Sequence, residues 1–186
     1  MSGKHKTFKV STATTQIRIS LADLNELGRA AFTECIGPVF EHSSWIAAET
    51  WGRRPFASPE QLHRELCATV GSAGMDKQLA LIRAHPDLVG RAALAGTLTA
   101  ASNQEQASAG LNQLTPEEIA TFQEYNAAYQ NKFGFPFVIC ARLNRKEAIL
   151  AGFERRLPQA RDQEIATALA EIYKIAGLRL ADKLEV

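Results

Sequence analysis

His85 is the side chain in this sequence best placed to move protons. It stands in Arg83-Ala84-His85-Pro86-Asp87-Leu88, and a proline disfavours helical backbone at the residue before it. A helix running up to His85 therefore ends there, and the imidazole projects from the helix end. The carbonyls at a helix C-terminus favour the imidazolium form, which predicts a pKa drawn upward and a histidine able to donate a proton near neutral pH. A histidine so placed also serves as a plain helix cap, and taken alone that is the commoner case. Downstream, Ser102-Asn103-Gln104-Glu105-Gln106 sets Ser102 and Glu105 one turn apart on a helical face with Gln106 beside them. A hydroxyl, a carboxylate and a carboxamide can thus converge on one ligand. The same pattern also describes a solvated, capped helix start.

Two further stretches have groups to offer. Phe135-Pro136-Phe137-Val138-Ile139-Cys140-Ala141 is apolar and reads as extended and buried, so its backbone N–H and C=O groups must find partners outside a helix. A flat ligand rich in N–H and C=O edges is one such partner; water and side chains around a core connector are the other. Leu178-Arg179-Leu180 places an arginine between leucines, either snorkelling to the surface or reaching into a pocket for an anion. His63 and Cys67 are spaced as neighbours on a helix, but two ligands without a second pair do not make a zinc site. Gly71-Ser72-Ala73-Gly74 does not lead into the G-K-[ST] of a phosphate loop, and neither G-x-G-x-x-G nor G-x-S-x-G occurs. Trp45 and Trp51 read as packing residues.

The elements that must position these groups are helical. Ser20 caps a first helix in which Leu21, Leu24, Leu27, Ala31 and Phe32 repeat at three- and four-residue intervals to about Cys35. Ser43 to Gly52 is a shorter helix. Ser58 with Pro59 opens another through about Val70, broken by Gly71 and Gly74. Asp76 to Ala84 and Ser102 to Gly110 follow. Thr115-Pro116-Glu117-Glu118 is a capping box for a long helix through Phe133, closed by Gly134. Asn144 with Glu147 resembles a cap before Ala148 to Leu157. Beyond Pro158, Asp162 to Leu184 is amphipathic with Ile165, Leu169, Ile172, Ile175 and Ala176 inward. The prediction is an all-α chain, a single irregular bundle of about eight to ten helices, with residues 20–186 as one domain and residues 1–19 as a flexible leader.

Composition narrows the classes of function. Of 186 residues 46% are hydrophobic and 22% charged, and 21 basic against 20 acidic side chains leave a net charge of +1. That balance implies no nucleic-acid partner. Three separated cysteines, Cys35, Cys67 and Cys140, fit reduced thiols. There is no apolar run long enough for a signal peptide or a membrane span. The final Lys183-Leu184-Glu185-Val186 does not match the S-K-L peroxisomal address. A soluble, cytoplasmic protein with no membrane partner is expected.

Taken together, Ala84-His85-Pro86-Asp87-Leu88, Ser102-x-x-Glu105-Gln106, Phe133-Gly134-Phe135-Pro136-Phe137-Val138 and Leu178-Arg179-Leu180 resemble, in order and spacing, the 2-oxo-4-hydroxy-4-carboxy-5-ureidoimidazoline (OHCU) decarboxylases. The resemblance spans roughly Ser20 to Leu184. It implies a cofactor-independent homodimer of purine catabolism that decarboxylates a ureidoimidazoline from urate breakdown to (S)-allantoin. It also implies that His85 is the proton donor, with Glu105 as its essential partner. Ser102 and Gln106 would hold the ureido and ring edges, and Pro86 would shape the wall beside His85. Phe137, Val138, Ile139, Cys140 and Ala141 would supply main-chain contacts, and Arg179 would meet anionic or carbonyl oxygens. No metal is implied.

Two other classes bracket this reading. A non-catalytic helical scaffold or ligand-binding module would need only amphipathic helices and a polar pocket, and would have no use for His85, Glu105 and Arg179 together. A hydrolase acting on a related ureide would need an activated water, for which the sequence offers no convincing ligand set.

Overall fold

Ten α-helices are found among the residues described by the computed structural model, which are residues 18–185. The chain is all-α, as the periodicity predicts. In order the helices are α1 (Leu21–Glu26), α2 (Arg29–Ile36), α3 (Trp45–Thr50), α4 (Pro59–Ser72), α5 (Met75–Ala84), α6 (Arg91–Leu94), α7 (Ala100–Ser108), α8 (Pro116–Phe133), α9 (Lys146–Arg156) and α10 (Arg161–Lys183). The expected leader falls outside the described residues up to residue 17. Ile19, by contrast, pairs with Leu184 in an isolated parallel bridge, its N–H donating to the Lys183 carbonyl and its own carbonyl accepting from Glu185.

Several boundaries differ from the prediction for physical reasons. The single helix expected from Ser20 to Cys35 is two, because Leu27 and Gly28 are extended, at ψ 137° and 159°. The carbonyl that Leu27 thereby frees accepts from Trp51 Nε1 at 3.0 Å and Arg54 Nη1 at 2.7 Å. Gly71 does not break α4, which runs through it to Ser72; Gly74 instead precedes α5. Asn144 does not cap α9. Its amide donates to the Cys140 carbonyl at 2.9 Å, and Arg145 occupies the cap position. The Thr115 capping box and the left-handed Gly134 (φ 77°) delimit α8 as predicted.

The core gathers Leu24, Phe32 and Ile36 from the first two helices, Leu62, Leu66 and Val70 from α4, and the inward stripe of α10, Ile165 to Leu180. A second part is aromatic. Tyr129 of α8 packs against Phe133, Phe135, Phe137 and Phe153, and the Phe137 and Phe153 rings stack at 3.8 Å. This cluster fixes the extended segment of residues 135–140. Within it lies a buried ion pair, Arg156 with Glu164, which Tyr129 joins through its hydroxyl. Arg156 also stacks over Phe137, 4.3 Å from its ring centre, and donates from Nη1 to the Val138 carbonyl at 2.7 Å.

Removing one member of such a pair leaves the other charge buried and uncompensated. Glu164→Leu should therefore lower the unfolding free energy by about 3 kcal/mol in a urea titration. Replacing Arg156 by Met in the same protein should recover much of that loss.

Candidate active site

Proline at 86 does stop α5: the N–H of His85 closes on the Ile82 carbonyl at 3.2 Å, and its backbone is already extended at ψ 137°. The ring turns back on its own helix, with Nδ1 3.0 Å from the Leu81 carbonyl oxygen. A carbonyl oxygen only accepts, so Nδ1 carries the proton and Nε2 presents a lone pair. The predicted upward pKa is overturned. Burial, which penalises the imidazolium, pushes the group down to about 4, and outweighs the upward pull of the Leu81 carbonyl and the negative charge of Glu41. Helix-end electrostatics lose to desolvation because the side chain is only 8% exposed. At neutral pH His85 is a neutral base.

The loop after Pro86 is held from below. Asp87 accepts two bonds from Gln130 Nε2, at 2.7 and 2.8 Å, and the Leu88 carbonyl accepts from Asn126 at 2.8 Å. Val89 adopts φ 54°, a left-handed conformation that costs a β-branched residue roughly 1–2 kcal/mol. Its N–H is met by Gln106 Oε1 at 3.1 Å. At Gly90 a side chain would collide with Asp87, since a Cβ would stand 2.6 Å from that residue's Cβ. The carbonyl end of Gln106 is thus engaged by the protein, leaving its amino end as the ligand-facing group.

Thr99 caps α7 by accepting from the Ser102 N–H at 3.2 Å, and the helix then presents Ser102, Glu105 and Gln106 together. Arg179, one turn from the end of α10 in the amphipathic stripe, lies against them. It grips Glu105 with two bonds of 2.7 Å, from Nε and Nη2, and Nη2 also donates to Ser102 Oγ at 3.2 Å. Its remaining arm, Nη1, donates to Glu41 at 2.8 Å. Sequence reasoning missed Glu41. It is 4% exposed and accepts from the hydroxyls of Thr99 at 2.9 Å and Ser102 at 3.1 Å. Burial pushes its carboxyl up, but the hydrogen bonds and charge of Arg179, with the Thr99 hydroxyl, pull it further and leave it below the usual range. The only hint in the sequence is an acid following the apolar Pro38-Val39-Phe40.

All the residues singled out from sequence except Cys140 line one small cavity of about 30 Å³, completed by Leu88 and Ile175. The exception follows from where the backbone of Cys140 bonds. The Val138 carbonyl goes to Arg156, and the Cys140 N–H and carbonyl go to Glu171 and Asn144. The backbone of Cys140 thus faces away, while among the described residues the N–H and carbonyl of Ile139 have no hydrogen-bond partner. Glu105 and Arg179 also line a second, wider groove of about 1050 Å³ shared with α2, Glu41 and Thr99. The ion pair is the partition between the two spaces.

The family model described as OHCU decarboxylase matches residues 25–181. The chain belongs to the OHCU decarboxylase family. The 2-oxo-4-hydroxy-4-carboxy-5-ureidoimidazoline decarboxylase of Halalkalicoccus jeotgali is 41% identical over 165 residues, which cover 89% of this chain and 92% of that protein. Among solved structures, an (S)-allantoin synthase superposes with a TM-score of 0.70 at 28% identity, covering 89% of this chain and 54% of that one, so this chain spans about half its length. An OHCU decarboxylase solved in the presence of (S)-allantoin shares the fold, at a TM-score of 0.63 and 22% identity over 83% of this chain and 96% of that one.

The lowered pKa of His85 has a stability consequence with a definite sign. Between about 4 and its unfolded value near 6.5 the unfolded chain binds the proton and the folded chain does not, so this group's contribution is lost as pH falls through that window. His85→Gln should flatten the decline in unfolding midpoint between pH 6.5 and pH 4 relative to the parent protein. Parallel curves for the two proteins would show that His85 is protonated without penalty.

Proposed function

We propose that this chain decarboxylates 2-oxo-4-hydroxy-4-carboxy-5-ureidoimidazoline to (S)-allantoin with His85 as the proton-handling group and Glu105 and Arg179 as its partners on the ligand. The observation that carries this reading is the convergence of His85, Ser102, Glu105, Gln106 and Arg179 on one buried cavity from three separate helices. The family relationship supplies the substrate.

The chemistry suits a neutral histidine. When the bond from C4 to the carboxylate breaks, CO2 leaves and the electron pair moves into the ring toward the imine nitrogen and ring carbonyl, an electron sink the substrate itself contains. Nε2 accepts the proton of the C4 hydroxyl. The resulting imidazolium returns it to C5 as the C4 oxygen becomes a carbonyl, and the ring nitrogen takes its proton from water. One imidazole thus acts first as base and then as acid on a single face of the ring, which is how one enantiomer arises. The transient imidazolium is helped by the Leu81 carbonyl on Nδ1 and by Glu41 nearby.

A cavity of about 30 Å³ holds about one water, far less than this substrate. Binding therefore parts Glu105 from Arg179. Glu105 turns its acceptors to the ureido and ring N–H groups, and the guanidinium turns to ring or carboxylate oxygens. The buried surroundings then favour loss of the carboxylate charge as neutral CO2. Ile139, with both backbone groups free, reads the edge of the ring.

We further infer a homodimer, which rests on the family resemblance, and a cytoplasmic setting, which rests on three separated cysteines that fit reduced thiols; among the described residues no helix is long and apolar enough to cross a membrane. A non-catalytic binding module has no observation in its favour that this reading lacks.

The test is circular dichroism of allantoin formation, with the substrate generated in situ from urate by urate oxidase and hydroxyisourate hydrolase. Rapid appearance of the (S) signal is expected. His85→Ala should lower turnover by about a hundred- to ten-thousandfold with the fold intact. Slow racemic decay unchanged by the protein would reject the reading.

A further inference from the structure

Glu41 stands outside the catalytic cavity, in the wall of the wider groove, yet it touches two of the side chains that line that cavity. Its position is built by the chain. Gly37, where a Cβ would stand 2.9 Å from that of Ser44, opens a 3-10 turn, and His42 follows at φ 46°, with the Glu41 carboxylate buried and the His42 ring outside.

Glu41 Oε2 accepts from Arg179 Nη1 and from the Ser102 hydroxyl, and Oε1 accepts from Thr99. Ser102 Oγ also accepts from Arg179 Nη2. With its proton given to Glu41, Ser102 has one lone pair left and can only accept from a ligand. Arg179 is held by two carboxylates, one on each side. When the ligand draws Glu105 away, Glu41 is what keeps the guanidinium in place and oriented.

We propose that Glu41 is a positioning residue of the decarboxylase site, fixing Arg179 against the pull of the ligand and committing Ser102 to accept a ligand N–H. It acts through those two residues and does not touch the reacting atoms. The inference rests on the decarboxylase reading above. It places the selection of ligands that offer an N–H at Ser102 in a residue 61 positions earlier in the sequence.

Glu41→Gln is nearly isosteric. Its oxygen can keep facing Arg179 and Ser102, and its amino group can face Thr99, whose hydroxyl reverses to accept. The substitution thus removes charge and leaves shape. In the dichroism assay KM should rise about tenfold, the order of one charge-assisted hydrogen bond, with kcat changed less than threefold. The Kd for (S)-allantoin measured by calorimetry should rise in the same proportion. Ser102→Ala should weaken binding less in a Glu41→Met background, where residue 41 no longer accepts from the Ser102 hydroxyl, than in the parent. A merely structural role would shift the melting temperature and leave these three readings unmoved. Should Gln at 41 prevent folding, Glu41→Asp, which keeps the charge but withdraws it by one methylene, is judged by the same criteria. Parent-like KM and Kd in a folded variant, or a fall in kcat at unchanged KM, would overturn the proposal while an active parent leaves the decarboxylase reading standing. An inactive parent would overturn both.

Discussion

The guanidinium of Arg179 is bound on one side by Glu105 and on the other by Glu41, partners 74 and 138 residues distant in sequence. Those bonds tie α10 to α7 and to the turn after α2. Much else in the site follows from satisfying one buried cation. The orientation of α7, the direction of the Ser102 hydroxyl and the wall between the narrow cavity and the wide groove are each fixed by where the five guanidinium N–H groups point. Two carboxylates against one guanidinium leave a negative balance, which in turn tolerates a histidine nearby that becomes cationic only in passing.

A second anchor, Arg156, does for the extended segment what Arg179 does for α7. It holds the Val138 carbonyl and the face of Phe137, which seats the segment with Ile139 toward the cavity, while Glu171 and Asn144 take the backbone of Cys140 away from it. The two arginines differ in what faces them. Arg156 is closed in by Glu164, Tyr129 and aromatic rings, a packing arrangement with no room for exchange. Arg179 borders two spaces, so its partners can change.

The sequence carried much of this pattern. The stop at His85 was legible because proline acts on its immediate neighbour, and the convergence of Ser102, Glu105 and Gln106 because helical spacing is local. Caps at Ser58 and Thr115 were legible for the same reason. What failed to show was tertiary. The pKa of His85 moves opposite to the expectation from its helix end because burial is set by side chains far along the chain. Gln106 proves half-engaged by Val89, whose left-handed backbone no local signal announced. The break at Leu27 depends on Trp51 and Arg54 reaching back for its carbonyl, and Asn144 is drawn from the cap position by the carbonyl of Cys140. Glu41 was least legible of all, an ordinary acid in a turn until Arg179 is brought to it.

The bridge between Ile19 and Leu184 bears on all of this from outside. Helix ends fray, and Arg179 stands only one turn before the last residue of α10. With the carbonyl of Lys183 and the N–H of Glu185 both tied to Ile19, that last turn is clamped, and the arginine swings on a short, stiff lever. The precision of the binding site is thereby underwritten by a residue that never approaches it, at the margin of the described fold.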